Sequence, residues 1–470
     1  VDGKNGIQYS RGSLVRSLVA LILGTLVLRA AAGAMGENIQ FYFNYINEAT
    51  RSLSHPLHLI AGLGNVSEIS YTVGAFIITI FFAAEVIGAP LFGAWSDRYG
   101  RKLFIIFGPL FGALAVQLTA VTTVLWLLAV TRVLEGLSTA SNAPASLGYI
   151  AEATSHAPKL RARVVGLFEV ATIAGMAVGL VLGGALWRSF GQAAVVFGIP
   201  LTSPAFAINS VIYILSLIIL WFGLSEAHEF KRSQRITNNN GTWRHYWQLV
   251  RNPRVESFVP AWIAINAVIG VFINLTARLL TDKQNFPDQL LMGGFDSFET
   301  GVLRGTYLGF FVLGVLLWSL FFAAMKKTTV MLIGIGGLFL TCLFLILINH
   351  QPSLDAPLVL PLAILLVFSI MVQSGFTPAA VVHLADITEE YTEDRGVIMG
   401  LYSVFLGVGQ AIGIIGGPFA DWRGVDGIIL LIFLLGVFAA AFLIPLRRSE
   451  AKIEESKILH ARKPGQSFGE

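Results

Sequence analysis

The chain has 470 residues, of which 55% are hydrophobic and only 13% charged, with a formal net charge of +4. Soluble domains carry about a quarter charged residues, so a mean hydropathy of +0.72 excludes a water-soluble globule of this length and points to repeated membrane crossings. The lone cysteine, Cys342, excludes an internal disulfide framework or thiolate cluster, and basic residues gathered in short loops imply no nucleic-acid partner.

Twelve apolar runs read as membrane helices over 17–43, 71–94, 103–122, 124–151, 164–187, 205–224, 258–280, 306–325, 330–348, 358–385, 397–417 and 427–445. They are too long and too continuously apolar for barrel strands, which alternate over about ten residues, so the fold class is an all-α membrane protein. Placing the N-terminus in the cytoplasm puts 24 of the 32 basic residues in cytoplasmic segments, which predicts that both termini are cytoplasmic. The run after Ser17 is too long for a signal-peptide core and reads as the first membrane helix.

On that first helix Arg29, Gly33, Gly36, Glu37, Gln40 and Asn44 line one side. Arg29 and Glu37 are eight residues, about 12 Å, apart along the axis. Each therefore needs a partner on another helix, and Glu169 for Arg29 and Arg132 for Glu37 are the expected ones. Glu85 stands toward the cytoplasmic end of the second helix.

Between the second and third helices lies GAWSDRYGRK, Gly93 to Lys102. Gly93 allows close helix approach, Gly100 a tight reversal, and Asp97 with Arg101 a charge-assisted contact. This loop resembles the signature of the major facilitator superfamily. The resemblance implies two parallel six-helix repeats and a cytoplasmic gate built from Gly93, Asp97, Arg98, Gly100, Arg101 and Lys102 that contacts the second half. The equivalent loop there is only MKKTT, so the latch is expected on one side.

The fourth helix carries RVLEGLSTASNAP, with Arg132, Glu135, Thr139 and Asn142 on one face. It resembles the superfamily's fourth-helix motif, with Gly136 in place and Glu135 where a glutamine is usual, and the resemblance implies a part in proton coupling. The fifth helix carries Glu169 and then Gly175, Gly179, Gly183 and Gly184, similar to the antiporter motif of drug and metabolite exporters except that Leu180 replaces a proline. Small residues at that spacing also pack helices without implying a direction of transport.

After the sixth helix the polar, basic segment 225–255 reads as a cytoplasmic linker, with a surface helix possible near 243–250. It separates a bundle at 1–224 from one at 256–446, followed by a tail at 447–470. An ungapped repeat supports the division: Ala151 to Gly183 aligns with Ala385 to Gly417, matching Arg161 with Arg395, Gly175 with Gly409 and Gly179 with Gly413. Parallel repeats place a substrate site near the midplane between them. Candidate cavity residues are Arg29, Gln40 and Asn142, then Asn266, Asn274 and Arg278 of the seventh helix and Gln373 and His383 of the tenth; Glu68 and Arg304 stand at helix starts and are left unassigned. Glu37, Arg132, Glu135 and Glu169 are the proton-coupling candidates. The triplet Asn65-Val66-Ser67 fits an N-glycosylation acceptor.

No phosphate loop, metal-ligand spacing or nucleophile elbow is present, so no enzyme, metal or cofactor is expected and the driving force is an ion or solute gradient. The expected function is alternating-access transport, as proton-coupled export of a small organic or amphiphilic substrate by a monomer in a plasma or inner membrane. The alternatives are a proton-coupled importer or facilitator, and a non-transporting scaffold on the same fold.

Overall fold

The computed structural model describes residues 11–52, 54–59, 68–154, 157–225, 257–282, 286–321, 325–389 and 395–461. The linker expected at 225–255, apart from Ser225, and the Asn65 triplet lie outside these residues. Six membrane helices come first: α1 (Arg11–Arg51), then, after the single turn α2 (Pro56–Leu59), α3 (Tyr71–Tyr99), α4 (Arg101–Thr119), α5 (Leu125–Ala153), α6 (Pro158–Phe190) and α7 (Pro204–Gly223). The second six are α8 (Val259–Thr281), α9 (Ser297–Phe321), α10 (Lys327–Asn349), α11 (Val359–Gln373) continued by α12 (Phe376–Glu389), α13 (Arg395–Ile412), and α14 (Gly416–Ala461). A hairpin of β1 (Ala194–Val196) and β2 (Ile199–Leu201) precedes α7, turning through Phe197 and Gly198, both at positive φ.

Three elements differ from the apolar runs, each for a local reason. α9 begins nine residues before the expected 306, because Asp296 and Glu299 form a capping box: Glu299 N donates to Asp296 Oδ1 at 2.8 Å and Asp296 N to Glu299 Oε2 at 2.9 Å. The tenth helix is broken between α11 and α12. There the Trp318 indole N–H and the Ser374 hydroxyl both donate to the Met371 carbonyl, at 3.1 and 2.8 Å, and Gly375 leaves room for the indole. α14 starts at Gly416 rather than 427 and kinks at Arg423 and Gly424, where φ is +55°. Buried Gln289 holds that kink, donating to Arg423 O at 2.9 Å and accepting from Val425 N at 2.9 Å.

Contacts divide the described residues into two compact units. Unit one falls within 1–237, 269–309 and 410–428; unit two within 238–268, 310–409 and 429–470. In unit one α1 packs along α6 and α7, and α5 against α3 and α4. The glycines of α6 explain the first contact. A Cβ at Gly175 would lie 2.4 Å from Leu26 O, one at Gly179 2.4 Å from Ala30 O and 2.9 Å from Gly33 Cα, and one at Gly183 2.8 Å from Glu37 Cβ. Gly184 faces α9 instead, with Ser297 O 2.3 Å from the same construction. Gly179→Leu is therefore expected to lower stability by about 1–3 kcal/mol, read as an earlier thermal transition in detergent.

The sequence repeat reappears as a packing repeat. Gly179 meets Gly33 of α1, and its counterpart Gly413 meets Gly270 of α8. Glu37, four residues beyond Gly33, thus corresponds to Asn274, four beyond Gly270. In unit two α10 packs against α11 and α12, and a core of Phe258, Trp262, Met331, Phe376 and Leu443 fills it. The large apolar residues that remain exposed on α3, α6, α7, α9 and α11, such as Phe76, Val170, Trp221, Leu316 and Phe368, suit helices whose solvent is lipid.

Candidate functional site

Charged side chains collect inside unit one where the helices are otherwise apolar. Arg132 and Glu135, three residues apart on α5, form a buried ion pair at 2% and 4% exposure. Glu37 of α1 is fully buried and pairs with Arg304 of α9 at 3% exposure. Arg304 also donates through Nη2 to Ile273 O at 3.3 Å, and its guanidinium lies 5.4 Å from the Phe272 ring centroid. Removing such charges from water costs several kcal/mol per ion, so each depends on its partner.

The pairing corrects two expectations. Glu37 meets Arg304 and not Arg132, because the early start of α9 places Arg304 about two turns inside the helix instead of ahead of its first residue. The capping box Asp296-Ser297-Phe298-Glu299 was the signal that could have found it. Arg29, half-buried on α1, has no ion pair to Glu169 among the described residues; its charge acts on both Glu85 and the exposed Glu169.

Arg278 forms a clamp. It is 2% exposed at the end of α8. Its Nη1 donates to Ser70 O at 2.8 Å, Nη2 to Ile69 O, and Nε to Asn44 Oδ1 at 3.1 Å, while the guanidinium lies 4.3 Å from the Tyr71 ring centroid. Gly74 leaves the space it fills, since a Cβ there would be 2.6 Å from Nη1. Asn44 Nδ2 returns a bond to Arg278 O at 2.9 Å, and Gln40 Nε2 donates to Ile273 O at 2.7 Å. Asp421 completes the seam. Its carboxylate accepts from Tyr71 N at 2.7 Å and Thr72 N at 2.9 Å, capping α3, and Tyr71 Oη donates to Asp282 at 2.5 Å. Helices α1, α3 and α8 and the start of α14, ahead of its kink, are thus tied at one end of unit one, which we call the latched end.

At the other end of α3, Gly100 takes φ +104° and turns the chain into α4. Arg101 pairs with Asp97 and with Glu152 of α5 at 3.0 Å, donates to Ser96 Oγ at 2.7 Å, and crosses Gly148, where a Cβ would be 2.4 Å from its Cζ. Among the described residues of unit one, the further partners of Arg101 are thus Ser96 and Glu152, both in the first repeat. Arg98 is exposed, over the Tyr99 ring, and Lys102 half-buried; Gly93 faces Pro144.

Asn142 Nδ2 donates to Ile105 O at 3.0 Å, tying α5 to α4. Asn266 donates to Trp262 O at 2.9 Å within α8. Asn274, 1% exposed, has no partner for either side-chain polar atom among the described residues, and the same holds for Gln373 Oε1. His383 lies edge-on to Phe258 at 5.2 Å. Asn266, Gln373 and His383 belong to unit two; the other cavity candidates lie in unit one.

This arrangement of buried ion pairs among apolar helices suits solute movement across a membrane, and the comparisons point the same way. The chain is 30% identical over 122 residues to multidrug resistance protein 1 of Bacillus subtilis (strain 168), covering 26% of this chain and 31% of that protein. It is 32% identical over 164 residues to the class E tetracycline resistance protein of Escherichia coli, covering 35% and 37%, and 25% identical over 290 residues to protein spinster homolog 1 of Xenopus laevis, covering 56% and 51%. These stretches span about a third to a half of the relatives. Among solved structures, the nucleoside transporter NupG superposes with a TM-score of 0.67 at 12% identity over 92% of this chain and 98% of that one. A bacterial homologue of the human lysosomal transporter Spinster gives 0.67 at 16% identity over 94% and 99%. A profile of the Major Facilitator Superfamily matches residues 17–295 and again 286–466. With both repeats matched, the chain belongs to the Major Facilitator Superfamily and is a multi-pass membrane transporter.

Proposed function

We propose that the protein exchanges protons for a small organic or amphiphilic solute by alternating access, exporting the solute across a plasma or inner membrane as a monomer with both termini in the cytoplasm. The observation that carries this reading is the fully buried Glu37–Arg304 pair, which joins α1 of the first repeat to α9 of the second. Protonating Glu37 would leave Arg304 buried without a counter-charge, a state that is costly unless the helices part and water enters. One proton is thereby linked to one conformational step. Arg132, Glu135 and Glu169 are the further candidates for the proton's route, and Arg29, Gln40, Asn274 and Arg278 for the solute path in unit one. Asn142, Asn266, Gln373 and His383 remain candidate cavity residues; Gly93, Asp97, Arg98, Gly100, Arg101 and Lys102 are assigned to the cytoplasmic gate.

Charge distribution supports the orientation. Among the described residues, three exposed arginines at the latched end sit opposite acids, Arg51 with Glu68 at 2.9 Å, Arg188 with Asp296 at 3.4 Å and Arg423 with Asp288 at 3.6 Å. The division into bundles at 1–224 and 256–446, a linker at 225–255 and a tail at 447–470 belongs to the same reading. Import is the second reading, favoured by Leu180 where an antiporter proline would stand.

The test is proteoliposome flux with tetracycline and adenosine as probes, chosen from the relatives' names, and an internal pH dye. Export by exchange predicts that an imposed pH gradient drives probe uphill against the proton flow, and that Glu37→Gln abolishes this while probe exchange at zero gradient persists. Probe and protons moving in the same direction would replace antiport with import, and wild-type gradient dependence in Glu37→Gln would remove Glu37 from the coupling.

A further inference from the structure

The β1–β2 hairpin between α6 and α7 ends in an exposed apolar tip. Phe197 is exposed at 100%, Val195 at 66% and Ile199 at 56%. We propose that this hairpin is a membrane anchor: its tip and outer face enter the boundary between headgroups and acyl chains in the leaflet at the latched end, and so fix the depth of the α6–α7 connection in the bilayer.

Both faces of the hairpin are apolar. Antiparallel strands with one face on a core and the other in water alternate apolar with polar side chains, yet the stretch from Ala193 to Leu201 carries no polar side chain at all. The register assigns the faces. Val196 pairs with Ile199 and Ala194 with Leu201, on the side where Val196 and Leu201 join the core around Tyr42 and Trp187. Val195 pairs with Pro200 on the other side, and both are exposed. The turn itself departs from what water favours. Phe197 and Gly198 take φ +52° and +79°, and a two-residue turn with both residues at positive φ favours Asn-Gly, because most side chains are strained there. A fully exposed phenyl ring gains nothing from the protein to offset that strain, and it gains least of all in water.

The surroundings identify lipid as the occupant. No Asp, Glu, Lys, Arg or His occurs from Ser189 to Ser225, a stretch that holds the end of α6, the hairpin and all of α7. The base of the hairpin is fixed to its neighbours: Thr202 N and Oγ1 donate to Ala120 O in the α4–α5 loop at 2.7 and 3.0 Å, and Ala193 N donates to Tyr45 Oη of α1 at 2.8 Å. Trp126, 69% exposed in the first turn of α5, follows that same loop, and tryptophan collects where acyl chains and headgroups meet. Phe190, the last residue of α6, and Val211 of α7 are exposed as well, so the tip continues the lipid-facing surface of those two helices. The edges of a two-stranded hairpin carry unpaired peptide groups, which hydrocarbon cannot satisfy and headgroup water can. That places the anchor at the boundary and no deeper.

The experiment uses the full chain in phosphatidylcholine vesicles, with thiol labelling in a Cys342→Ser background. A nitroxide is attached at Phe197→Cys and, in a separate protein, at Val195→Cys; both positions are exposed, so neither label disturbs the core. Power saturation then compares collisions with oxygen, which concentrates in lipid, and with a water-soluble nickel chelate. At both positions oxygen should relax the nitroxide more than the chelate does. A larger effect of the chelate, as for a loop in water, would overturn the anchor. Exclusion of both reagents would put a protein surface, a second copy included, over the tip and would overturn the assignment to lipid. The part played by Phe197 is read from the Val195 label in a Phe197→Asn variant, in which asparagine suits the turn and keeps the hairpin folded. Its ratio of oxygen to chelate collisions should fall as the tip withdraws toward water, and an unchanged ratio would overturn Phe197 as the anchoring side chain. None of these readouts involves transport, so failure of the anchor and failure of the proposed function are distinguishable.

Discussion

Arg304→Ala is expected to eliminate gradient-driven transport and to destabilise the protein by about 3–5 kcal/mol, the cost of leaving a buried charge without its partner. Glu37 is at 0% exposure, so its carboxylate takes its counter-charge from the guanidinium and not from water. The double variant Glu37→Gln with Arg304→Leu should recover most of the folded yield, because neutral side chains of similar size replace an ion pair at little cost, while transport stays uncoupled from the gradient. Thermal midpoints of the two single variants and the double variant, with flux measured on the same preparations, form the cycle. Strictly additive losses in stability would show that the two groups act independently and would undo the pairing argument.

Arg278→Ala is expected to unlatch α8 from α1 and α3, raising labelling of Gly36→Cys from the latched face by at least tenfold. The wild-type guanidinium makes three hydrogen bonds to acceptors on α1 and the residues leading into α3, and a hydrogen bond to a charged group contributes about 1.5–3 kcal/mol. Loss of one such bond already shifts a two-state ratio about tenfold. Arg278→Lys should behave like the alanine variant, since a single ammonium cannot reach Asn44, Ile69 and Ser70 at once. Unchanged labelling in both variants would show that Asp421 and its bonds to Tyr71 and Thr72 suffice to hold this end.

The twelve membrane helices were legible because lipid imposes long apolar runs, and the half-chain repeat was legible because α6 and α13 reuse glycines to approach α1 and α8. The Arg132–Glu135 pair could also be read, since three residues on a helix place two side chains on one face. Glu37's partner could not. It lies 267 residues away, and finding it required the true start of α9, which a two-residue carboxylate cap decides and hydropathy does not register. The break at Gly375 was hidden for a similar reason: the indole that occupies its space comes from Trp318 on another helix. Arg278 was visible as an intramembrane arginine, but its bonds to carbonyls at the mouth of α3 are ones that no spacing within α8 reveals.

The clamp on Arg278 has an evolutionary consequence. Two of its three hydrogen-bond acceptors are the main-chain oxygens of Ile69 and Ser70, which every amino acid supplies. Residues 69 and 70 can therefore drift among homologues without weakening the latch, provided that the loop keeps its path. Covariation would couple Arg278 to Asn44 and be blind to the rest of its anchorage, so that in related chains the latch would register through one of its three acceptors alone.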